Sequence, residues 1–392
     1  MKGAQKLGLL GALYLSQGLP YGFFTQALPA LLRELGLSLP AIGLTSLLAL
    51  PWALKFLWAP LVDRWGSRRR WILAMQAVAA LLAVVISTID PDRALPLILG
   101  CVLLTNLAAA TQDIATDGLA VSMLSSSERG LGNGIQVAGY RLGMILGGGV
   151  LLVLFERLGW QGTFLCMAAL IAAASLPLIT TPALGARQAS GGGGLREALG
   201  WLVLPGNAGW LGALALYKVG HHLAQGMLRP WLVDSGMGLA DIGWLLGAGG
   251  FSAGLVGAIL GGLSVNVLGR RAVLGAWGLA AAAGVAGYAA LASSGVAGGL
   301  ALWGVVLVEH LASGMATAAL FTVMMDACRE EHESSDYTLQ ASAVVIASGV
   351  AAAASGFVAE AIGYGGLLWC ASALGVLGAA GAVAGARRAG SV

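Results

Sequence analysis

Twelve apolar runs follow one another through this chain, at 7–32, 40–62, 71–89, 94–124, 131–155, 161–181, 207–232, 239–265, 271–292, 296–328, 337–359 and 364–386. Each is long enough to cross about 30 Å of hydrocarbon. In lipid every backbone polar group must be bonded internally, so such a chain folds as a helical bundle. Charge is correspondingly scarce: 10% of the 392 residues are charged and 58% are hydrophobic, where soluble domains carry about 25% charged residues. The 61 glycines suit helices that approach closely through small residues. The reading is an all-α, multi-pass membrane protein whose first partner is the lipid bilayer. A net charge of +3 is too small to imply a nucleic-acid partner. Cys101, Cys166 and Cys370 lie in apolar runs and Cys328 at a helix end, with neither a disulfide framework nor metal-ligand spacing. The N-terminal "MKGAQKLGLLGALYLSQGLPYGFF" starts basic and then turns apolar like a signal peptide. It lacks a clear cleavage site and reads as the first span.

The one long polar gap, 182–206, contains "GARQASGGGGLREALG", a flexible linker composition. It divides the chain into a six-span half at 1–181 and another at 207–392. The halves repeat each other. A shift of 204 superimposes Gln136 on Gln340, Glu156 on Glu360, Gly159 on Gly363, Gly162 on Gly366 and Cys166 on Cys370. A shift of 203 superimposes Tyr14 on Tyr217, Asp63 on Asn266 and Gly66 on Gly269. Parallel repeats of this kind are related by an axis along the membrane normal. With an inside N-terminus the inner loops and termini carry fourteen Lys and Arg, among them Lys2, Lys6, Arg68, Arg129, Arg187, Arg196 and Arg387, and the outer ones carry Arg33, Arg93 and Arg157. The positive-inside bias therefore puts both termini in the cytoplasm.

Two loops carry a shared pattern. "APLVDRWGSRRRW" joins spans 2 and 3, and "GLSVNVLGRRAV" occupies the matching place in the second half. Both are similar to the loop motif G-x-x-x-D-R-x-G-R-R of the major facilitator superfamily, with Ala59 for the first glycine and Asn266 for the second-half aspartate. "SQGLPYGFF", "LPWALKFLWAPLVDRWGSRRRW", "ATQDIATDGLAV" and "GYRLGMILGGG" resemble the AmpG-like (muropeptide permease) branch of that superfamily. That branch in turn resembles acetyl-CoA transporters and the siderophore permeases of the RhtX/FptX type. Muropeptide permeases of the branch commonly carry two more spans, so in length the chain is closer to the siderophore permeases.

The resemblance implies twelve helices in two pseudo-symmetric halves, with spans 1, 4, 7 and 10 lining a cavity. It implies a conformational latch at the inner loops: Asp63, Arg64, Gly66 and Arg68, with Asn266, Gly269 and Arg270 in the second half. Asp117, about two turns from the inner end of span 4, is expected to join that latch. Asp113 lies one turn deeper. It precedes the turn at Ser125–Gly130 by about as many residues as Arg141 follows it, so the two are expected to pair and to share in proton coupling.

An ionisable residue inside a membrane is a functional candidate by default. On span 7 the spacing of Lys218, His221 and His222 makes a polar face, and histidine titrates near neutral pH. Glu309 and His310 lie at mid-depth in span 10, and Glu309 is the candidate proton carrier. A static bridge from Glu309 to Lys218 is the structural alternative. Lys55 follows Pro51 on span 2, and its role stays open. Tyr14, Tyr21, Tyr217, His221, His222, His310, Lys218 and Arg229 are the expected cavity and substrate residues. Gly18, Pro20 and Gly22 would loosen span 1 towards that cavity.

The expected function is secondary active import of an organic small molecule with protons, by alternating access, across a bacterial inner membrane, with the protein acting as a monomer. Basic groups on span 7 suit an anionic cargo, a ferric siderophore by length, with anhydromuropeptide or an acyl-CoA compound as the alternatives. No phosphate loop points to ATP, and no catalytic residue, metal or cofactor is expected. A membrane enzyme built on His221, His222 and Glu309, or a non-transporting receptor, are the competing classes.

Overall fold

The computed structural model describes residues 3–28, 32, 45–91, 93–180, 199–295, 298–330 and 332–388. The 182–198 part of the linker 182–206, the start of span 2 at 40–44, and Lys2, Arg33, Arg187 and Arg196 lie outside these residues. The described residues are helical almost throughout and contain no strand.

Among the described residues seven helices are long and apolar enough to cross a membrane: Arg68–Ser87, Leu95–Met123, Arg157–Ile179, Gly243–Leu268, Arg270–Ser293, Gly299–Asp326 and Glu333–Ala386. The last contains two spans, because Gly363 breaks it at φ 72° and ψ 170°. The remaining four spans are interrupted or polar. Span 1, Gly3–Gly22, passes into a π-turn at Phe23–Ala27. The described part of span 2 consists of short pieces, with helices at Leu50–Leu54 and Ala59–Arg64. Span 5 starts at Arg129–Met144 and passes into a π-segment at Ile145–Val150. Span 7, Asn207–Asp234, carries Lys218, two histidines and Arg229. Together these make the twelve spans.

The repeat is visible in the backbone. Gly159, between spans 5 and 6, has φ 64° and ψ −171°, and its partner at the 204 shift is the Gly363 break. Gly66 and Gly269, partners at the 203 shift, have φ 76° and 80°. These left-handed values favour glycine because it has no Cβ.

Contacts divide the chain into two compact units. One comprises 1–124, 139–198 and 329–338, the other 125–138, 199–328 and 339–392. Relative to the halves read from the linker, the first residues of span 5 and of span 11 are exchanged. In the first unit, Leu19, Phe23, Ala83, Ile86, Phe164 and Met167 form part of the apolar core. In the second, Leu228, Trp231, Tyr288, Leu302, Val306 and Leu367 do the same.

Small residues set helix approach. A Cβ at Gly18 would sit 2.9 Å from Gly143 Cα and from Met144 N. Gly139 and Gly147, four residues to either side of Gly143, also lie against span 1. Gly18 and Gly22 thus seat span 5 against span 1, and the helix runs through Pro20 to Gly22, where a loosened segment was expected. Close packing through small residues is the usual association mode in lipid.

Candidate functional site

In the first unit, span 4 presents Asp113 and Asp117 four residues apart on one helix face. Lys55 meets them from a short 3₁₀ turn at Lys55–Leu57, flanked by Pro51 and Pro60. Its Nζ donates to Asp113 Oδ2 and lies 3.8 Å from Asp117 Oδ2. Tyr14 donates its hydroxyl to Asp117 Oδ1 at 2.7 Å. Lys55 is 3% exposed and Asp117 2%, so these charges are held out of lipid by one another.

One expectation is corrected here, and one open role is filled. Lys55, whose role the sequence left open, bonds Asp113. On span 5, Gly139, Gly143 and Gly147 face span 1, and Arg141 is half-buried. Asp117 belongs to this buried cluster and not to the loop. The residue of span 4 that nears the loop is Gly118, where a Cβ would sit 2.8 Å from Arg68 Nε.

Around the acids lies a polar band. Ser16 Oγ accepts from Gln76 Nε2 at 2.9 Å and from Gln112 Nε2 at 3.0 Å. Trp58 Nε1 donates to Thr111 Oγ1 at 3.1 Å. Tyr21 packs edge-on against Trp52, with ring centroids 5.4 Å apart, and lies 5.7 Å from Tyr140. Trp52 and Gln17 escaped the sequence reading, because a tryptophan or an amide in an apolar run carries no charge signal.

The second unit holds a different cluster. Glu309 on span 10 is 0% exposed, and its Oε1 is 2.9 Å from His221 Nδ1. Its Oε2 is 3.0 Å from His310 Nδ1, and Gln225 Nε2 donates to Oε2 at 3.4 Å. His310 Nδ1 also lies 3.0 Å from Val306 O. Gly284 makes room for the acid, since a Cβ there would sit 2.6 Å from Glu309 Cβ. Lys218 donates to Thr317 Oγ1 at 2.7 Å, while the bonds described for Glu309 go to two imidazoles and an amide.

Tyr217, Lys218, His221, Ser313 and Ala316 border a small cavity of about 20 Å³. A water needs roughly 10–15 Å³. The Tyr217 hydroxyl is engaged, donating to Leu274 O at 2.9 Å. His222 packs its ring against that of His221 at 5.2 Å, and Arg229 is exposed. One carboxylate between two imidazoles can hold a varying number of protons without breaking its contacts, which a lysine–carboxylate pair cannot do as readily.

The loop residues act at helix ends. Asp63 Oδ2 accepts from Ser335 N at 2.8 Å and from Ser335 Oγ at 2.6 Å, capping the first turn of Glu333–Arg388. The first-turn N–H groups of a helix lack internal partners and favour an anion. Arg68 bonds Glu333 Oε2 at 2.8 Å, Asp63 Oδ1 at 3.3 Å and Ser334 Oγ at 3.1 Å. In the matching loop Asn266 donates to Ser127 O at 2.7 Å, while Arg270 bonds Asp326 Oδ2 at 2.6 Å and Ser126 O at 2.6 Å. Arg129 meets the other oxygen of Asp326 at 2.7 Å. Arg64 is exposed.

Comparison with known proteins follows the same lines. An uncharacterized protein of Haemophilus influenzae is 30% identical over 383 residues, covering 90% of this chain and 88% of its own length. The anhydromuropeptide permease of Escherichia coli K12 is 29% identical over 374 residues, covering 89% of this chain and 73% of its own length. In fold, the crystal structure of the E. coli fucose:proton symporter FucP superposes with a TM-score of 0.75 at 15% identity, covering 97% of both chains. The model of the Major Facilitator Superfamily matches residues 10–331, and the chain is a multi-pass membrane protein belonging to that superfamily.

Proposed function

We propose that the chain is a proton-coupled permease of a bacterial inner membrane, with cytoplasmic termini, that imports an anhydromuropeptide by alternating access of its halves. The observation that carries this reading is the likeness, over 89% of the chain, to an E. coli permease named for that solute. The siderophore expectation rested on span number alone, and the named relatives favour the muropeptide alternative.

Glu309, between His221 and His310, takes up a proton from one side and releases it to the other as the halves alternate. The cycle needs a group that can be charged or neutral while it stays buried, and a carboxylate with two imidazole neighbours is such a group. Lys55, Asp113 and Asp117 hold a fixed charge arrangement and carry no proton. Asp63, Gly66 and Arg68, and their counterparts Asn266, Gly269 and Arg270, latch helix ends during the cycle. The permease acts as a monomer and catalyses no bond change.

Proteoliposomes loaded at neutral pH and exposed to an acidic exterior test the reading. Labelled anhydromuropeptide should accumulate, and a protonophore should abolish the accumulation. Strong uptake of ferric siderophores with none of the muropeptide would overturn the choice of solute, and protonophore-insensitive uptake would overturn the coupling.

A further inference from the structure

Two adjacent polar residues of span 1 differ in how they are satisfied. Ser16 Oγ accepts two amide bonds, from Gln76 and Gln112, and donates to Leu13 O at 2.7 Å. Gln17 is 0% exposed, and neither its amide nitrogen nor its amide oxygen has a hydrogen-bond partner among the described residues. Native proteins hold few such groups, and each calls for an explanation. A second buried donor is in the same condition: Trp52 Nε1 has no acceptor among the described residues.

The two belong to one place. Helical spacing puts Gln17 on the face it shares with Tyr14, three residues before, and Tyr21, four after. Tyr14 reaches Asp117, and Tyr21 meets the rings of Trp52 and Tyr140. Gln17 therefore lies between the carboxylate pair and an aromatic group. Tyr21 and Tyr140 are only half-buried, so ring surface is left uncovered beside unbonded polar atoms.

We infer that Gln17, Trp52, Tyr21 and Tyr140 form a binding subsite for a neutral sugar ring bearing hydroxyl and acetamido groups. An aromatic ring is large and apolar and suits the C–H face of a pyranose. The Gln17 amide supplies one acceptor and two donors, which match a hydroxyl and an acetamido carbonyl. Trp52 Nε1 supplies a third donor for a further oxygen. Asp113 and Asp117 stand beside the subsite and disfavour an anionic group there, so the carboxylates of a solute would lie elsewhere. The inference rests on the muropeptide reading, since a muropeptide joins N-acetylated sugars to a short peptide, and it assigns the sugar part to the first unit.

The test is titration calorimetry on the full chain in nanodiscs, with the N-acetylated disaccharide alone and with the peptide part alone. The wild type should bind the disaccharide. Gln17→Leu should weaken that binding by about tenfold or more, as expected for lost bonds in a dry site, while its thermal midpoint stays equal or rises. Trp52→Phe should weaken it less and leave the peptide's affinity unchanged. Absence of disaccharide binding by the wild type overturns the subsite. So does a Gln17→Leu variant with wild-type affinity and a lowered midpoint, the behaviour of a packing residue. Uptake of the intact muropeptide separates the two readings. Undiminished uptake and binding in both variants overturns the subsite alone, whereas disaccharide binding that depends on Gln17 without any muropeptide uptake supports the subsite and overturns the transport reading.

Discussion

Span 4 and span 10 each bury acid in the membrane, and they handle it in opposite ways. In the first unit two aspartates face one lysine and a tyrosine hydroxyl. In the second a single glutamate faces two imidazoles and an amide. A lysine is a fixed charge, and an acid held to it is best kept as it is, because losing either partner strands the other in a low dielectric. An imidazole is a variable one. The difference teaches that two acids buried in lipid can be given neighbours of opposite kind, a fixed charge in one unit and titratable rings in the other.

The largest effect should come from the fixed cluster. Lys55→Met strands two carboxylates and should cost about 3–5 kcal/mol, seen as a steep fall in the thermal midpoint of the purified protein or in its yield. Neutralising Asp113 as well, in Lys55→Met/Asp113→Asn, should recover a large part of the loss. An unchanged midpoint in the single variant would erase the contrast between the clusters.

The variable cluster should answer to packing. Gly284→Ala puts a methyl group against the Glu309 stem, where a Cβ would lie 2.6 Å from Glu309 Cβ. Overpacking of this kind costs about 1–3 kcal/mol and should lower proton-driven uptake more than stability. Wild-type uptake in this variant would mean that the seat of Glu309 is not critical.

A smaller form of the same contrast, fixed charge against neutral group, recurs in the loops. Asp63→Asn removes a charged acceptor from a helix start, a loss of about 1.5–3 kcal/mol by the usual worth of bonds to charged groups. Asn266→Ala removes one neutral bond at an exposed position and should cost about 0.5–1 kcal/mol. Thermal midpoints of the two variants, measured side by side, give the order; the reverse order would break the analogy.

Much of the fold is legible in the chain itself. The apolar runs give the spans, and the 203 and 204 shifts anticipate that Gly66 pairs with Gly269 and Gly159 with Gly363, all four with positive φ. Charge placement is also legible, since an acid in an apolar run announces itself. Pairing is not. Lys55 bonds Asp113, a meeting the sequence left open, because the direction of a side chain depends on which helix faces touch, and the glycines that set those faces look alike along the run. Lys218 bonds Thr317, whose hydroxyl gives no charge signal. Gln17 is hidden for the same reason, since its lack of partners is a property of the packed structure. The π-segments at Phe23–Ala27 and Ile145–Val150 leave no trace in an apolar pattern that tolerates one more residue per turn.

The central claim is that Glu309 carries the proton while the span 4 cluster does not. The direct test compares two modes of transport by Glu309→Gln in proteoliposomes: exchange of labelled for unlabelled solute, which needs no net proton movement, and accumulation driven by an acidic exterior. Glutamine keeps the shape and most of the bonds but cannot titrate. Exchange should stay within about twofold of the wild type and gradient-driven accumulation should disappear, the split expected when coupling is lost and binding is kept. Accumulation that survives in Glu309→Gln, or exchange and accumulation lost in equal measure, would contradict the account.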